Sequence, residues 1–209
     1  MADLTALTRA IEAGDRATAT AVTREAINEG LDPEAILAAM TAAMEIVGQR
    51  FSANEIYVPE MLISARAMKE ATALLEPLLA AAGIRPDFRA VIGTVKGDLH
   101  DIGKNLVAMM WKGANIEVID LGANVPPDRF VAAAKEHEAH LVGLSALLTT
   151  TMVGMRDVVE ALRAADLGSV KVIVGGAPVT AAFAEQIGAD GYAPDAASAV
   201  EVATRLMQA

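Results

Sequence analysis

The run Asp98-Leu99-His100-Asp101-Ile102-Gly103 is the part of this chain best equipped for chemistry. An aspartate two residues before a histidine can accept the proton of one ring nitrogen. That fixes the tautomer, raises the basicity of the ring and leaves the second nitrogen free to ligate a metal. Gly103 allows the backbone to come close to a ligand. A single histidine cannot build a metal site from protein groups alone, so a metal bound here should arrive inside a macrocycle. Taken by itself, His100 is equally well read as a residue that caps or packs at a helix start.

Three other readings of the same loop fail on residue types. A P-loop needs four residues between its glycines and then Lys-Ser/Thr. Here Gly97 and Gly103 enclose five residues, and Lys104 is followed by Asn105. A phosphoacceptor receiver domain wants an acidic pair after its first strand, an Asp after the third and a Lys after the fifth. The third strand here ends in Ser145, and no Lys follows the fifth. A flavodoxin wants a Ser/Thr-rich phosphate loop, which Asp98–Gly103 is not.

The elements around this loop read as an α/β domain. Short β-branched runs at Ala90–Val95, Ile116–Asp120, Leu141–Ser145, Val170–Val174 and Gly191–Tyr192 alternate with helical stretches near 102–113, 127–138, 152–166, 178–187 and 195–208. Near-continuous apolar strands between helices imply a parallel sheet covered on both faces, of the Rossmann or flavodoxin-like doubly wound kind. Ligands of such sheets sit beyond the carboxyl ends of the strands. Site residues should therefore come from Lys96–Gly103, Gly122–Pro127, Ser145–Thr151, Gly175–Pro178 and Tyr192–Asp195.

Residues 1–82 read as helix. Leu4, Leu7 and Ile11 form one stripe, stopped at Gly14. Ala21, Val22, Ala26 and Ile27 form the next, ending at Gly30. Asp32–Pro33 is a helix start, with an N-cap acceptor and a proline where its missing N–H costs nothing. Ile36, Leu37, Met40, Met44 and Val47 follow. A fourth helix opens at Pro59 and carries Met61, Leu62, Ala65, Met68, Ala71 and Leu75. Pro77 should kink or end it. Short connections suggest a four-helix antiparallel bundle. Ala82–Phe88 reads as the linker, giving domains of 1–85 and 86–209.

Composition excludes several classes. Hydrophobic residues make up 54% and charged residues 21%, enough apolar material for a core. The net charge of −10 argues against nucleic acid, since no basic stripe can neutralise phosphates. There is no Cys, which removes disulfides, thiolate zinc, iron–sulfur clusters and a cysteine nucleophile. The longest uncharged stretch, Leu141–Met155, is too short and too rich in Thr and Gly to span a membrane. With no basic region ahead of an apolar run at the N-terminus, the expected location is the cytoplasm.

The spacing of three loops resembles the cobalamin-binding signature: Asp98, His100 and Gly103, then Ser145 and Leu147 after the third strand, then Gly175 and Gly176 after the fourth. The helical half resembles the cap of methyl-transferring corrinoid proteins, through Ile56-Tyr57-Val58-Pro59-Glu60 and Ala65-Arg66-Ala67-Met68-Lys69. The combination is similar to corrinoid proteins of methyltransferase systems and to the corresponding modules of cobalamin-dependent methionine synthase.

The resemblance implies a cobalamin cofactor bound base-off, with His100 as lower axial ligand to cobalt. Asp98 would hold His100, and Thr151 would extend the relay where relatives often have Ser. Asp101, Ile102 and Gly103 would lie against the cofactor. Ser145, Leu147 and Thr149 would line one side of a slot for the nucleotide tail, with Gly175 and Gly176 on the other. Tyr192, Ala193 and Pro194 would lie near the buried base. Proton uptake by the Asp98–His100 pair as the ligand leaves would couple to the cobalt state. Among Tyr57, Met61, Ala65 and Met68, some would cover the methyl face, Tyr57 first. Met61 and Met68 also read as bundle core.

The implied function is a methyl carrier serving a substrate-specific methyltransferase and a methyl-acceptor methyltransferase, with a reductive activase as a further partner. The alternative is a cobalamin-responsive sensor. The acidic chain, which opens directly in the bundle with no helix-turn-helix, disfavours it. A radical-mutase subunit is disfavoured by the cap. His137 and His140 read as surface or capping groups, Trp111 as packing on the sheet, and Asp120 as an acidic strand end without the glycine motif of dinucleotide folds.

Overall fold

The computed structural model describes residues 2–86 and 88–208. The chain divides into two compact units. One holds the N-terminal helices up to Pro86 together with Gly113–Asn115; the other holds the rest of the chain from β1 onward.

The helical unit consists of α1 (Leu4–Glu12), α2 (Arg16–Asn28), α3 (Pro33–Ser52) and α4 (Val58–Ala81). Aspartates start the first three. Asp3, Asp15 and Asp32 accept hydrogen bonds from the backbone N–H groups of Thr5, Thr18 and Glu34. Each such cap contributes about 1 kcal/mol. At α4, the Glu60 carboxylate accepts from the N–H of Tyr57 at 3.1 Å. Leu7, Ile11, Ile36, Met40, Met44, Met61 and Leu75 are buried in this unit.

Two details differ from the sequence reading. The buried stripe of α2 is Ala19, Thr23 and Ala26, and Ala21 is exposed. Thr23 tolerates burial because its hydroxyl donates to the Ala19 carbonyl at 2.8 Å. Pro77 does not end α4, which continues to Ala81. Pro77 and Ala73, the residue whose carbonyl loses its partner, both face solvent, where water can satisfy that group.

The second unit is a five-stranded parallel sheet in the order β2-β1-β3-β4-β5. Its strands are β1 (Phe88–Thr94), β2 (Ile116–Asp120), β3 (Leu141–Ser145), β4 (Lys171–Gly175) and β5 (Gly191–Ala193). Phe88, assigned to the linker from sequence, is already in β1, and Asp87 lies outside the described residues.

Helices α5 (Ile102–Gly113) and α10 (Ala196–Met207) supply Ala108, Trp111, Ala199 and Val202 to the core on one face. Helices α6 (Pro127–Glu136), α8 (Gly154–Ala164) and α9 (Ala181–Ile187) supply Phe130, Met155, Val158 and Ala184 to the core on the other. Strand residues alternate between these cores, Ala90 and Ile92 against Val91.

Trp111 is fully buried, and its indole N–H donates to the Ala199 carbonyl at 3.0 Å, so it joins α5 to α10. Its ring packs close to β3 because Gly143 has no side chain. A Cβ there would come 2.7 Å from the ring.

The sequence places one helix over 152–166. The structure has a short α7 (Thr149–Met152) and then α8, with Val153 between them. The β3 loop thus turns into helix before Thr151.

Candidate functional site

The strand order reverses between β1 and β3, so the loops that leave these two strands diverge and open a crevice at the carboxyl edge. The register lines up Thr94, Ser145, Gly175 and Ala193 as one rung across that edge. Asp98 and His100 leave from β1 beside this rung. Leu147 and Thr151 leave from β3.

Asp98 is fully buried, and its carboxylate gathers donors from both loops. Oδ1 accepts from the backbone N–H of His100 at 3.0 Å and lies 2.8 Å from His100 Nδ1. Oδ2 accepts from the Thr151 hydroxyl at 2.6 Å and from the N–H groups of Leu147 at 2.8 Å and Leu148 at 3.3 Å. Burial alone would raise the Asp98 carboxyl. The hydrogen bonds from Thr151, Leu147 and His100 outweigh it and hold the group well below the usual carboxylate range.

An ionised Asp98 accepts only, so the proton between it and His100 sits on Nδ1. Nε2 then carries the lone pair. The imidazole side chain is 52% exposed, while the carboxylate that orients it is not exposed at all. The His100 carbonyl is held in turn by the buried Thr94 hydroxyl at 2.9 Å.

The two loops that meet at Asp98 also carry large exposed apolar side chains: Leu99 and Ile102 after β1, and Leu147, Leu148 and Val153 after β3. Exposed leucines and isoleucines clustered at one sheet edge mark a ligand face. Gly103 stands on the same edge, and a Cβ there would meet nothing within 4 Å. Asp101 is exposed and accepts from Asn105 Nδ2 at 3.2 Å.

The structure brings Asp98, His100 and Thr151 together and sets Leu147 beside them. Thr149 is exposed on α7, whereas Thr151, two residues later, donates to the carboxylate. Ser145 stands on the rung, and Tyr192 is half-buried against the core under α6, α8 and α9.

Gly175, the last residue of β4, and Gly176 after it are required by the backbone around them. A Cβ on Gly176, whose φ is +128°, would lie 1.9 Å from the Ala146 carbonyl oxygen. One on Gly175 would lie 2.8 Å from that of Ala193. The chain's own backbone forbids a side chain at either position, through the β5 partner of Gly175 and through the residue after β3 for Gly176. On α4, Tyr57 is exposed. Met61, Ala65 and Met68 are buried in the helical unit, and Met61 has no accessible surface to offer a ligand.

Sequence reasoning missed three contributors. Thr94 had a signal, since it is the one polar residue in the run Ala90–Val95. Lys104, correctly excluded as a P-loop lysine, is itself buried and donates to both oxygens of Asp120 at 2.7 and 2.6 Å and to Asn105 Oδ1 at 2.6 Å. Asp120 is thus the counter-ion of a buried lysine. Asn124, in the loop after β2, bonds to the His100 loop and gave no signal. Among the described residues no group of three His, Cys, Asp or Glu side chains is placed to hold a metal ion. The donor set is one oriented imidazole in an apolar setting, which suits a metal carried by a flat macrocycle.

The fold and site together define an α/β protein that presents one oriented, half-exposed histidine at the carboxyl edge of its sheet. Residues 88–201 match the B12 binding domain, and residues 4–76 match a second B12 binding domain. The chain is 39% identical to a corrinoid protein of Desulfitobacterium hafniense, over 99% of this chain and 98% of that one. It is 42% identical to dimethylamine corrinoid protein 3 of Methanosarcina acetivorans, over 95% of this chain and 90% of that one. Among solved structures it is similar to the methanol:cobalamin methyltransferase complex of Methanosarcina barkeri, with a TM-score of 0.84 and 28% identity over 98% of this chain and 80% of that one. The chain belongs to the B12-binding family of corrinoid proteins, and its cofactor is a corrinoid.

Proposed function

We propose that this chain carries a methyl group on the cobalt of a corrinoid between two methyltransferases, with His100 Nε2 as the lower axial ligand. When bound, the corrinoid supplies a cobalt centre able to accept and give up a methyl group. The observation that carries the reading is the half-exposed imidazole held by a buried carboxylate among exposed apolar side chains at the switch point.

The chain's own residues have distinct tasks in this reading. Asp98 keeps the proton on Nδ1, so that Nε2 faces the cofactor as a lone pair. Thr151 and the Leu147 N–H keep Asp98 ionised in a buried position. Asp98 would also keep the imidazole oriented with or without a metal at Nε2, because the Oδ1–Nδ1 contact does not involve that nitrogen. Leu99, Ile102, Leu147 and Leu148 would lie against the macrocycle and exclude water from it. Gly103 leaves room for it.

The partners are a substrate-specific methyltransferase, a methyl-acceptor methyltransferase and a reductive activase. Relatives are named for dimethylamine, and one similar chain is solved in a methanol system. This spread of names supports a reading in which the partner enzyme chooses the donor. No helix among the described residues is long and apolar enough to cross a membrane.

Reconstitution with hydroxocobalamin, desalting and reduction to cobalt(II) tests the ligand. Nitrogen splitting in the EPR spectrum that disappears in His100→Ala is the expected result. Retained corrinoid with the same splitting in His100→Ala would overturn the axial role, and failure of the wild type to retain any corrinoid would overturn the carrier reading.

A further inference from the structure

The loop that bears His100 is held from outside its own element. Asn124, between β2 and α6, reaches it twice. Its Oδ1 accepts from the Gly97 N–H at 2.8 Å, and its own N–H donates to the Asp98 carbonyl at 2.9 Å. The two bonds lie on either side of the Asp98 Cα, one before it and one after. They fix the direction in which the Asp98 side chain leaves the backbone. Gly97 is in a left-handed conformation with φ +86°, and Lys96 and Gly97 are exposed, so this stretch has few other restraints.

The segment that carries Asn124 is itself anchored. The Thr94 N–H donates to the Gly122 carbonyl, the Val125 N–H donates to the Thr94 carbonyl, each at 2.9 Å, and Val95 bridges Val125. Asn124 has φ +56°, a conformation asparagine tolerates far better than most residues. It therefore projects from a fixed frame onto the exposed tip of a loop that is otherwise held at Asp98 and His100, where the Asp98 N–H also donates to the Val95 carbonyl at 3.1 Å.

We propose that Asn124 is a positioning residue for the Asp98–His100 pair. Its side chain sets the Gly97–Asp98 backbone so that Asp98 Oδ1 meets His100 Nδ1, which selects the tautomer with Nε2 unprotonated. Its extension to corrinoid ligation rests on the reading of His100 as the axial ligand. The tautomer effect does not, and belongs to the protein without cofactor. The bond itself is exposed and contributes little to stability, so its purpose shows in geometry rather than in melting.

Three variants separate the possibilities. Asn124→Gly keeps the left-handed backbone and the bond to the Asp98 carbonyl but deletes the acceptor for Gly97. Asn124→Asp keeps an acceptor at the same place. Asn124→Ala loses the acceptor and strains the backbone as well. The ring 15N shifts of His100 in the cofactor-free protein, at a fixed pH where the ring is neutral, report the tautomer. Far-ultraviolet circular dichroism and thermal melting report the fold.

The expected result is that Asn124→Gly folds as the wild type does but loses the dominance of the Nδ1–H tautomer, and that Asn124→Asp restores it. In the cobalt(II) corrinoid form, Asn124→Gly should weaken imidazole ligation by about tenfold, as loss of an outer partner of a metal ligand does. A wild-type tautomer population in folded Asn124→Gly overturns the proposal, as does failure of Asn124→Asp to restore it. If Asn124→Gly shifts the tautomer while wild-type holoprotein shows no nitrogen splitting from His100, Asn124 keeps its positioning role and the axial-ligand reading fails.

Discussion

Asp98 Oδ1 and His100 Nδ1 lie 2.8 Å apart, yet the two side chains occupy opposite environments, the carboxylate wholly buried and the imidazole half in solvent. The carboxylate cannot rearrange without leaving five donors behind, so the ring takes its orientation from the protein interior. What it presents outward is set before any cofactor arrives.

Thr151→Val should destabilise the protein by about 1.5–3 kcal/mol, because a hydrogen bond to a buried charge is lost with little change in shape. Thr151→Ser keeps the hydroxyl and should lose less than about 1 kcal/mol. Urea unfolding of the cofactor-free protein measures both. A loss in Thr151→Val no larger than that in Thr151→Ser would count against a stabilising role for the hydroxyl.

Asp98 also sets an acid limit. Its folded pKa lies well below its ordinary value of 3.8, so folding favours the ionised form. The stability it contributes is fully present above roughly pH 5 and is lost as the pH falls through 3.8 toward the folded value. Asp98→Asn should therefore flatten the acid limb of a stability–pH profile and leave the neutral region with a constant deficit. An unchanged acid limb would assign the acid loss to other carboxylates.

The two classes of glycine should separate cleanly. Gly176→Ala forces a Cβ to 1.9 Å from the Ala146 carbonyl at a φ of +128°, and should cost more than about 2 kcal/mol or prevent folding. Gly103→Ala meets nothing within 4 Å, and in α5 it should be neutral or stabilising by up to about 1 kcal/mol. If Gly103 faces the cofactor, Gly103→Ala should still retain less corrinoid after desalting.

Lys104→Met should cost about 1–3 kcal/mol. The lysine side chain is 1% exposed and its partner Asp120 is 35% exposed, so water can partly rescue the stranded carboxylate and the loss falls below that of a fully buried pair. The double variant Lys104→Met/Asp120→Asn should recover part of the loss in the same unfolding experiment, since it removes the stranded charge.

The parallel sheet and its carboxyl-edge loops were legible because apolar strands such as Leu141–Ser145 are buried on both faces and carry their signal locally. Asp98, His100 and Thr151 were legible through type and spacing. Asn124 and Lys104 were not. Their partners lie 27 and 16 positions away in the chain, and only the β1–β2 register makes them neighbours. Pro77 misled because its effect depends on whether the carbonyl it frees faces water. Nothing in a single chain reports that. The glycines after β4 were recognised by pattern, but the backbone crowding that requires them appears only once Ala146 and Ala193 are in place.

Asp98 also acts as a buckle across the switch point. One oxygen belongs to the β1 loop and the other to the start of α7, residues about fifty positions apart in sequence. The two lips of the crevice are therefore tied at one atom group and cannot part independently. Any pull on the imidazole is passed through the carboxylate to Leu147 and Thr151, and so from the first lip of the crevice to the second.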